Sequence, residues 1–367
     1  MSGVASSGAR PGAAPGLTPG LDMAAFGRWL AAEHPEVAAS DGGDGLTATR
    51  LAGGLSNLTY RIDGAARPLV LRRPPLGHVL STAHDMQREF TIISALADSA
   101  VPVPAALVCV DDAGGEAGVG TPFYLMEFVA GPILSRPADN AGHSPAALRQ
   151  TSLELARTLG ELHRLDPASV GLAEFGHPAG FVERQLRRWA AQYDASRSRE
   201  LVELDTLQER LGLTRPETTR DSLLHGDFRL DNAIVHPEAA DGRRIAAVLD
   251  WEMATIGDSL LDLGTFSMYW DFAEITGGAG IGGSAVDHAA GYPEFAELLD
   301  AYSAVTGTTV PSLGWYRGFA AYKLAVILEG IHRRFSGGQT VGAGFEQVGS
   351  FVVPLARWGA AQLDATG

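Results

Sequence analysis

The order of hydrophobic and polar positions divides the chain into a strand-rich first part and a helix-rich second part. Between residues 21 and 36, apolar side chains recur at helical spacing, which predicts an amphipathic helix. Short β-prone segments separated by Gly and Pro follow, as is typical of a small sheet. The predicted strands are 47–52, 59–63, 69–72, 105–110 and 123–128, with a helix over 84–98.

Beyond Pro145, apolar residues recur at three- and four-residue steps, which predicts a largely helical second part. Two short strands interrupt it, and a Gly-rich stretch predicts a loop. The helices are predicted at 148–164, 182–193, 204–211, 316–334 and 351–363 and around Leu260 and Phe295, the strands at 233–235 and 245–249, and the loop at 277–283.

This pattern predicts an α+β protein with two lobes. Residues 1–20 are mostly Gly, Ala, Ser and Pro and bury too little to offset ordering entropy, so we expect a disordered tail. A β-rich N-terminal lobe is expected over 21–130 and a helical C-terminal lobe over 131–367. Gly131-Pro132 is expected to join them.

Composition narrows the classes of partner. The 367 residues are 46% hydrophobic and 19% charged, which is ordinary for a globular protein. The net charge of -15 disfavours nucleic acids and anionic membranes as partners. No apolar run reaches the roughly 18 residues of a membrane helix, so we expect a cytoplasmic protein. The sequence carries no signal for an oligomeric state.

Two residue types occur once each. Cys109 is the only cysteine, which excludes an intramolecular disulfide and fits a reducing compartment. Lys323 is the only lysine, which excludes a Walker A phosphate loop. Lys323 lies on an apolar helical face, where it either contacts substrate or extends its amino group to solvent as a structural lysine.

The stretch from His225 to Asn232 carries the clearest chemical pattern. Asp227 and Asn232 are separated by the spacing of a kinase catalytic loop and precede a predicted strand. Asp250 follows the next strand, where a carboxylate could hold a metal that bridges two phosphates. Each of these residues alone would also fit an ordinary turn or helix cap. Only their combination indicates a site for phosphoryl transfer.

With these motifs, the sequence from about residue 46 to 334 resembles the aminoglycoside phosphotransferase and choline kinase-like family, which shares the protein-kinase fold. It is most similar to the branch that also occurs as the kinase-like half of some acyl-CoA dehydrogenase fusion proteins. That finer resemblance rests on four segments, which are residues 71–77 (Leu-Arg-Arg-Pro-Pro-Leu-Gly), 81–84 (Ser-Thr-Ala-His), 248–252 (Val-Leu-Asp-Trp-Glu) with Gly257-Asp258, and 322–328 (Tyr-Lys-Leu-Ala-Val-Ile-Leu).

The resemblance implies a role for each residue of the motif. It makes Asp227 the catalytic base, Asn232 and Asp250 ligands of Mg²⁺, and residues 250–252 the counterpart of the protein-kinase Asp-Phe-Gly segment. Arg229 either stabilises charge on the transferred phosphoryl or is an exposed loop arginine. His225, Asp258 and Asp262 are expected to brace the loop and cap a helix.

In the N-terminal lobe the resemblance implies an ATP site. Its predicted phosphate-contacting residues are Gly53, Gly54, Ser56 and Asn57, between the first two strands, although a tight hairpin turn would use the same residues. Arg72 stands where kinases place a lysine and is expected to pair with Glu89, either as a phosphate grip or as a surface ion pair. The Glu127 carbonyl and the Val129 N–H are expected to meet adenine, or to belong to an ordinary strand.

The sequence thus predicts an ATP- and Mg²⁺-dependent kinase that phosphorylates a hydroxyl of a small molecule. The branch resemblance implies a hydroxyacyl-CoA or related hydroxy acid as acceptor, whereas an acidic cleft would favour an aminoglycoside or amino alcohol. The competing hypothesis is a catalytically silent nucleotide-binding scaffold, because arginine replaces lysine in the third strand. No zinc-protease, nucleophile-elbow or dinucleotide-binding motif is present, and we expect no dehydrogenase activity.

Overall fold

A twisted antiparallel sheet and a set of packed helices make up the protein in a computed structural model. The structure describes residues 18–38, 45–51, 57–76, 85–217, 221–239, 242, 244–278, 284–338 and 345–365. Contacts divide it into two compact units. The first covers the described residues up to Thr91 together with Ala105–Phe128, and the second covers Ile92–Pro104 together with the described residues from Val129 onward.

The first unit is built on a sheet with strand order β1-β2-β3-β5-β4, all antiparallel. Alternate residues of the second strand are buried, as the period of two requires for a sheet with one covered face. The strands are β1 Thr47–Arg50, β2 Leu58–Asp63, β3 Leu69–Arg73, β4 Ala106–Val110 and β5 Phe123–Glu127.

The first helix, α1 (Met23–Glu33), packs on this sheet. Asp22 caps it by accepting hydrogen bonds of 3.0 Å from the N–H groups of Ala24 and Ala25. Phe26 and Leu30 are fully buried and share the core with the inward face of β2. The helix α2 (Met86–Ala95) follows the third strand, as the sequence predicts.

The second unit is mainly helical. Its principal packing pairs are α3 with α8 and α9 with both α6 and α10, and these pairs bury the apolar faces that the sequence periodicity predicts. The helices are α3 Pro145–Arg164, α4 Phe181–Ser196, α5 Val202–Leu213, α6 Leu260–Trp270, α7 Phe272–Ile275, α8 Phe295–Thr306, α9 Gly314–Ser336 and α10 Val352–Asp364.

Two small antiparallel strand pairs are embedded among these helices. One joins β7 (Ala233–Val235) to β8 (Ile245–Val248), which the sequence predicts. The other joins β6 (Asp221–Leu224) to β9 (Thr255–Asp258), which the sequence analysis missed. Each of the two missed strands has only four residues, which is too short for a period of two to stand out.

The α+β class, with a sheet-based first unit and a mainly helical second unit, is therefore confirmed, while the boundary at residue 130 stays a prediction. Within the residues that the structure describes, no helix combines the length and the apolar character needed to span a membrane.

Candidate active site

The β7–β8 hairpin brings the two ends of the predicted motif together. Asn232 directly precedes β7, and Leu249-Asp250 directly follows β8, whose residues pair as Ala233 with Val248. The Leu249 N–H donates to the Asn232 carbonyl at 2.8 Å, which continues the antiparallel ladder by one step. Asp250 therefore lies beside the Asp227–Asn232 loop, although 18 residues separate Asn232 from Asp250 in sequence (250 − 232).

The loop turns at Gly226, where the backbone needs a glycine. Its φ of 84° is in the left-handed region, and an added Cβ would lie 2.5 Å from the Met253 carbonyl oxygen. His225 supports the turn on both sides, because its Nε2 is 2.9 Å from the Leu249 carbonyl and its Nδ1 accepts from the Asp227 N–H at 3.2 Å. The His225 side chain is thus structural, as expected.

Asp262 fixes the same turn from the first turns of α6. Its carboxylate accepts hydrogen bonds from the N–H groups of His225 at 2.7 Å and Gly226 at 2.8 Å, and it is 3.3 Å from His163 Nε2. Burial alone would raise the pKa of the Asp262 carboxyl. The hydrogen bond and charge of His163 and the contacts with His225 outweigh burial, so the pKa of Asp262 is lowered.

Asp258, by contrast, contacts its own helix end and α9. It accepts from the Leu260 N–H at 3.1 Å and from the Tyr316 hydroxyl at 2.8 Å. The sequence predicts helix capping and loop bracing for Asp258 and Asp262 together, and the contacts give the helix end to Asp258 and the loop to Asp262.

Three side chains on one face of α6 contact the loop of residues 225–232. Asp262, Phe266 and Tyr269 lie at positions i, i+4 and i+7, which share a helical face. Phe266 packs edge-on against Phe228 with ring centroids 5.5 Å apart. The Tyr269 side chain hydrogen-bonds Asp227, and its ring lies under the guanidinium of Arg229 at 4.8 Å from Cζ to the centroid. Sequence reasoning missed Tyr269, and only its i+7 relation to Asp262 could have indicated it.

Asp227 is held by three neighbours. The Asn232 amide donates to the Asp227 carbonyl at 2.9 Å and to its carboxylate at 3.3 Å. Arg229 Nε is 3.3 Å from the same carboxylate, and Tyr269 is the third partner. The Asp227 side chain keeps 26% of its surface exposed, so a small molecule can still reach it.

Negative charge exceeds positive charge around Arg229. Its guanidinium also pairs with Asp231 at 2.9 Å. Burial alone would lower the pKa of Arg229, but Tyr269, Asp227, Asp231 and Asp250 together raise it. Burial raises the pKa of Asp231, which Arg229 only partly reverses. Arg229 is therefore an engaged side chain within an acidic cluster, and the exposed loop arginine of the alternative hypothesis is wrong.

The Asp250 backbone is in an unusual conformation. Its φ is 66°, and among the described residues it is the one non-glycine with positive φ. An L-residue in this region loses about 1–2 kcal/mol, so the surrounding structure must impose it. The next residue, Trp251, is buried at 2% exposure and packs on the His225 ring at a centroid distance of 4.6 Å.

The oxygen atoms of Asn232 and Asp250 suit a hard divalent cation. Hydrogen bonds among the described residues engage Asn232 through its Nδ2, which turns Oδ1 to the opposite side. Within the same part of the chain, no group of three His, Cys, Asp or Glu side chains could hold a metal alone. Mg²⁺ commonly takes one or two protein oxygens and completes its shell with water and substrate phosphates, so two ligands fit it.

In the first unit, Glu89 of α2 collects three donors. Arg72 Nε lies 2.9 Å from one carboxylate oxygen, the Tyr124 hydroxyl donates to the same oxygen at 3.0 Å, and the Asn57 amide donates to the other at 3.0 Å. The Arg72 side chain is 11% exposed and Glu89 is 2% exposed. The predicted pairing of Arg72 with Glu89 is therefore present, and it is buried, so the surface ion pair of the alternative hypothesis is wrong.

The neighbouring Arg73 has a different task. It lies on the opposite face of β3, as the strand period requires, and is buried at 3% exposure. Its guanidinium donates to the carbonyls of Val119, at 3.0 Å, and of Gly20. Arg73 thus anchors two loops of the first unit, whereas Arg72 faces Glu89.

The other predicted nucleotide contacts are described only in part. Gly53, Gly54 and Ser56 lie outside the described residues. The Glu127 N–H donates to the Ala105 carbonyl at 2.9 Å, as in an ordinary strand end. Among the described residues, the Val129 N–H has no recorded backbone partner.

Comparisons with known proteins agree with this geometry. Residues 47–298 match the profile of the family described as "Phosphotransferase enzyme family". The chain is 34% identical over 306 residues to mouse acyl-CoA dehydrogenase family member 10, a match that covers 83% of this chain but 28% of that protein. The chain therefore spans less than a third of that relative's length.

Solved structures show the same fold. A candidate aminoglycoside phosphotransferase from Ralstonia eutropha is 30% identical, with a TM-score of 0.77 over 94% of this chain and 99% of that one. The GDP complex of wild-type aminoglycoside 2'-phosphotransferase-IIIa, at 15% identity, covers 93% and 99% with a TM-score of 0.57, which shows a common fold. The chain therefore belongs to the phosphotransferase enzyme family.

Proposed function

We propose that the protein transfers the γ-phosphoryl group of ATP, with Mg²⁺, to a hydroxyl of a small hydroxyacyl compound. The observation that carries the proposal is the convergence of Asp227, Asn232 and Asp250 at one end of the β7–β8 hairpin. Phosphoryl transfer needs a carboxylate at the acceptor hydroxyl and oxygen ligands for a metal, and these side chains supply both.

Asp227 has the central role in this proposal. Its half-exposed carboxylate accepts the proton of the acceptor hydroxyl or orients that hydroxyl, while Tyr269 and Asn232 keep its orientation. Asn232 Oδ1 and the Asp250 carboxylate would hold Mg²⁺, which when bound neutralises charge on the phosphates. Arg229 supplies a guanidinium beside Asp227 and would offset the charge of the phosphoryl group.

The nucleotide would be held by the first unit. Arg72 lies in β3 and pairs with the buried Glu89, and its planar guanidinium would bind phosphate through paired N–H groups. Asn57 shares the same carboxylate. Gly53, Gly54 and Ser56 for the phosphates, and the Glu127 carbonyl and Val129 N–H for adenine, complete the proposed ATP site. A structural neighbour in a GDP complex supports nucleotide use by this fold.

The acceptor class rests on the relatives. Similarity over most of this chain to a protein named for acyl-CoA chemistry supports a hydroxyacyl-CoA or free hydroxy acid. We also propose that the enzyme acts in the cytoplasm, where its single cysteine Cys109 would stay reduced.

The test is ATP consumption with panels of hydroxyacyl-CoA esters, hydroxy acids, aminoglycosides and amino alcohols. Wild type should turn over the hydroxyacyl panel, and Asp227→Ala should lower its turnover about 10²- to 10⁴-fold. Equal turnover by the variant would remove Asp227 as the base. Turnover confined to aminoglycosides or amino alcohols would reject the acceptor class, and no turnover with nucleotide still bound would favour a silent scaffold.

A further inference from the structure

The only lysine of the chain lies against the catalytic loop. Lys323 is in the middle of α9, and its amino group donates a 3.0 Å hydrogen bond to the carbonyl of Gly226, the residue before Asp227. The ammonium also lies over the ring of Trp189, 5.6 Å from its centroid. The sequence interpretation of Lys323 as a lysine that extends its amino group to solvent is therefore wrong.

A charged lysine ammonium in a buried environment is unfavourable unless nearby negative charges or hydrogen-bond acceptors stabilise it. Burial lowers the pKa of Lys323, Arg188 lowers it further, and the charges of Asp227 and Asp262 act in the opposite direction. A lysine ammonium has three N–H donors, and among the described residues the recorded hydrogen bonds use one, to Gly226. The other two donors make no hydrogen bond within the described part of the chain, so an oxygen atom of a ligand would be a chemically suitable partner for them.

The position of Lys323 relative to the base defines where such a ligand lies. The amino group binds the carbonyl of the peptide bond that joins Gly226 to Asp227. An acceptor whose hydroxyl reaches the Asp227 carboxylate can therefore extend its adjoining carbons toward Lys323. A compact ammonium can bind one oxygen there while keeping its bond to Gly226.

We propose that Lys323 is a specificity-determining residue that donates a hydrogen bond to an acyl oxygen of the acceptor. That oxygen belongs either to the carboxylate of a free hydroxy acid or to the thioester carbonyl of a hydroxyacyl-CoA. The inference rests on the proposed function, since it names the chain's own group that selects acyl acceptors over amines. A cationic acceptor would be repelled by the same ammonium.

The opposing explanation is a purely structural clamp on the loop. In that case the loss of Lys323 would displace Asp227 and lower kcat for every acceptor alike. If Lys323 binds the acyl oxygen, its loss raises KM for acyl acceptors and leaves acceptors without that oxygen unaffected.

The kinetic experiment compares Lys323→Met and Lys323→Arg with wild type. The acceptors are β-hydroxybutyrate, β-hydroxybutyryl-CoA and butanediol, which has hydroxyls but no acyl oxygen. We expect Lys323→Met to raise KM about 10- to 100-fold for whichever acyl acceptor is the substrate, with butanediol turnover unchanged and partial rescue in Lys323→Arg. Arg334→Met, which removes an exposed charge of the same sign from α9, should behave as wild type.

A spectroscopic measurement separates binding from turnover. Because Lys323 is the only lysine, protein labelled with ¹³C and ¹⁵N lysine gives one side-chain signal. That signal should move on addition of the acyl acceptor and stay in place with butanediol. An equal loss of kcat for all acceptors, or an unmoved lysine signal at saturating acyl acceptor, would overturn the inference. If wild type uses no hydroxyacyl compound at all, the proposed function itself fails.

Discussion

Two charged clusters of the protein have opposite charge balances. In the first unit, Glu89 is a single carboxylate that meets one guanidinium, Arg72, and two neutral donors. In the second unit, Arg229 is a single guanidinium that interacts with Asp227, Asp231 and Asp250. Counted over the residues that the structure describes, the first cluster is neutral, whereas the second carries excess negative charge that a bound cation would offset.

The two clusters also differ in how much of their carboxylate side chains is exposed to solvent. Glu89 is 2% exposed, while the Asp227 and Asp231 side chains keep 26% and 31% of their surface open. A buried pair with matched charge holds its groups in place, because separating them would leave an unpaired charge. An open acidic set can exchange ligands and protons. The first cluster is therefore suited to holding side chains in place, and the second to exchanging a bound cation or a proton.

The largest effect on stability is expected at the support of the second cluster. Asp262→Asn should destabilise the protein by about 3–5 kcal/mol, because the variant removes a buried charge that accepts from two backbone N–H groups and contacts His163. Thermal unfolding measures the loss. Amide exchange at His225 and Gly226 should increase in Asp262→Asn and not in Asp258→Asn, whose carboxylate bonds other groups. Exchange increased equally in both variants would contradict the assignment.

The pH dependence of stability gives a second readout of Asp262. Its folded pKa is below the ordinary value of 3.8, so its stabilisation is fully present above that value and is lost as the pH falls through the folded pKa. Wild type should therefore lose stability relative to Asp262→Asn below about pH 4. A constant difference between wild type and variant from pH 7 to acid unfolding would show that Asp262 is not the titrating group.

In the first cluster, Arg72→Met should lower stability by about 3 kcal/mol, because the buried carboxylate of Glu89 would lose the guanidinium that lies 2.9 Å from it. Arg61→Met in the same sheet is the matched control, since its pair with Asp63 is half-exposed and contributes about 1 kcal/mol or less. Urea unfolding compares the two variants. An equal loss of unfolding free energy in the two variants would show that the buried Arg72–Glu89 pair stabilises the protein no more than an exposed pair does. Arg72→Lys should recover part of the stability.

A smaller effect is expected at Tyr269. Tyr269→Phe keeps the ring under Arg229 but removes the hydroxyl that bonds Asp227, so kcat should fall about 5- to 10-fold, equivalent to about 1 kcal/mol. Tyr292→Phe is the control, because that hydroxyl donates to Asn140 at 2.8 Å. Steady-state kinetics with the preferred acceptor measures both variants. A Tyr269→Phe enzyme as active as the control would remove Tyr269 from the support of the base.

Much of this arrangement follows from sequence spacing. The β7–β8 strands and the Asp227, Asn232 and Asp250 pattern were predictable, because a hairpin places its two ends side by side. Burial of the Arg72–Glu89 pair was not, since whether a long side chain points inward depends on tertiary packing. The positions of the Lys323 and Tyr269 side chains could not be predicted either, because they also depend on tertiary packing. Each lies on a helix whose apolar period indicates only a buried face.

The central claim is that Asn232 and Asp250 form one cation site beside Asp227. Its most direct test is electron paramagnetic resonance of Mn²⁺ titrated into the protein with a non-hydrolysable ATP analogue. We predict one tightly bound Mn²⁺ per chain in wild type, at least about tenfold weaker binding in Asp250→Asn, and near-wild-type binding in Asp231→Asn. Mn²⁺ binding that is the same in Asp250→Asn as in wild type would contradict the claim.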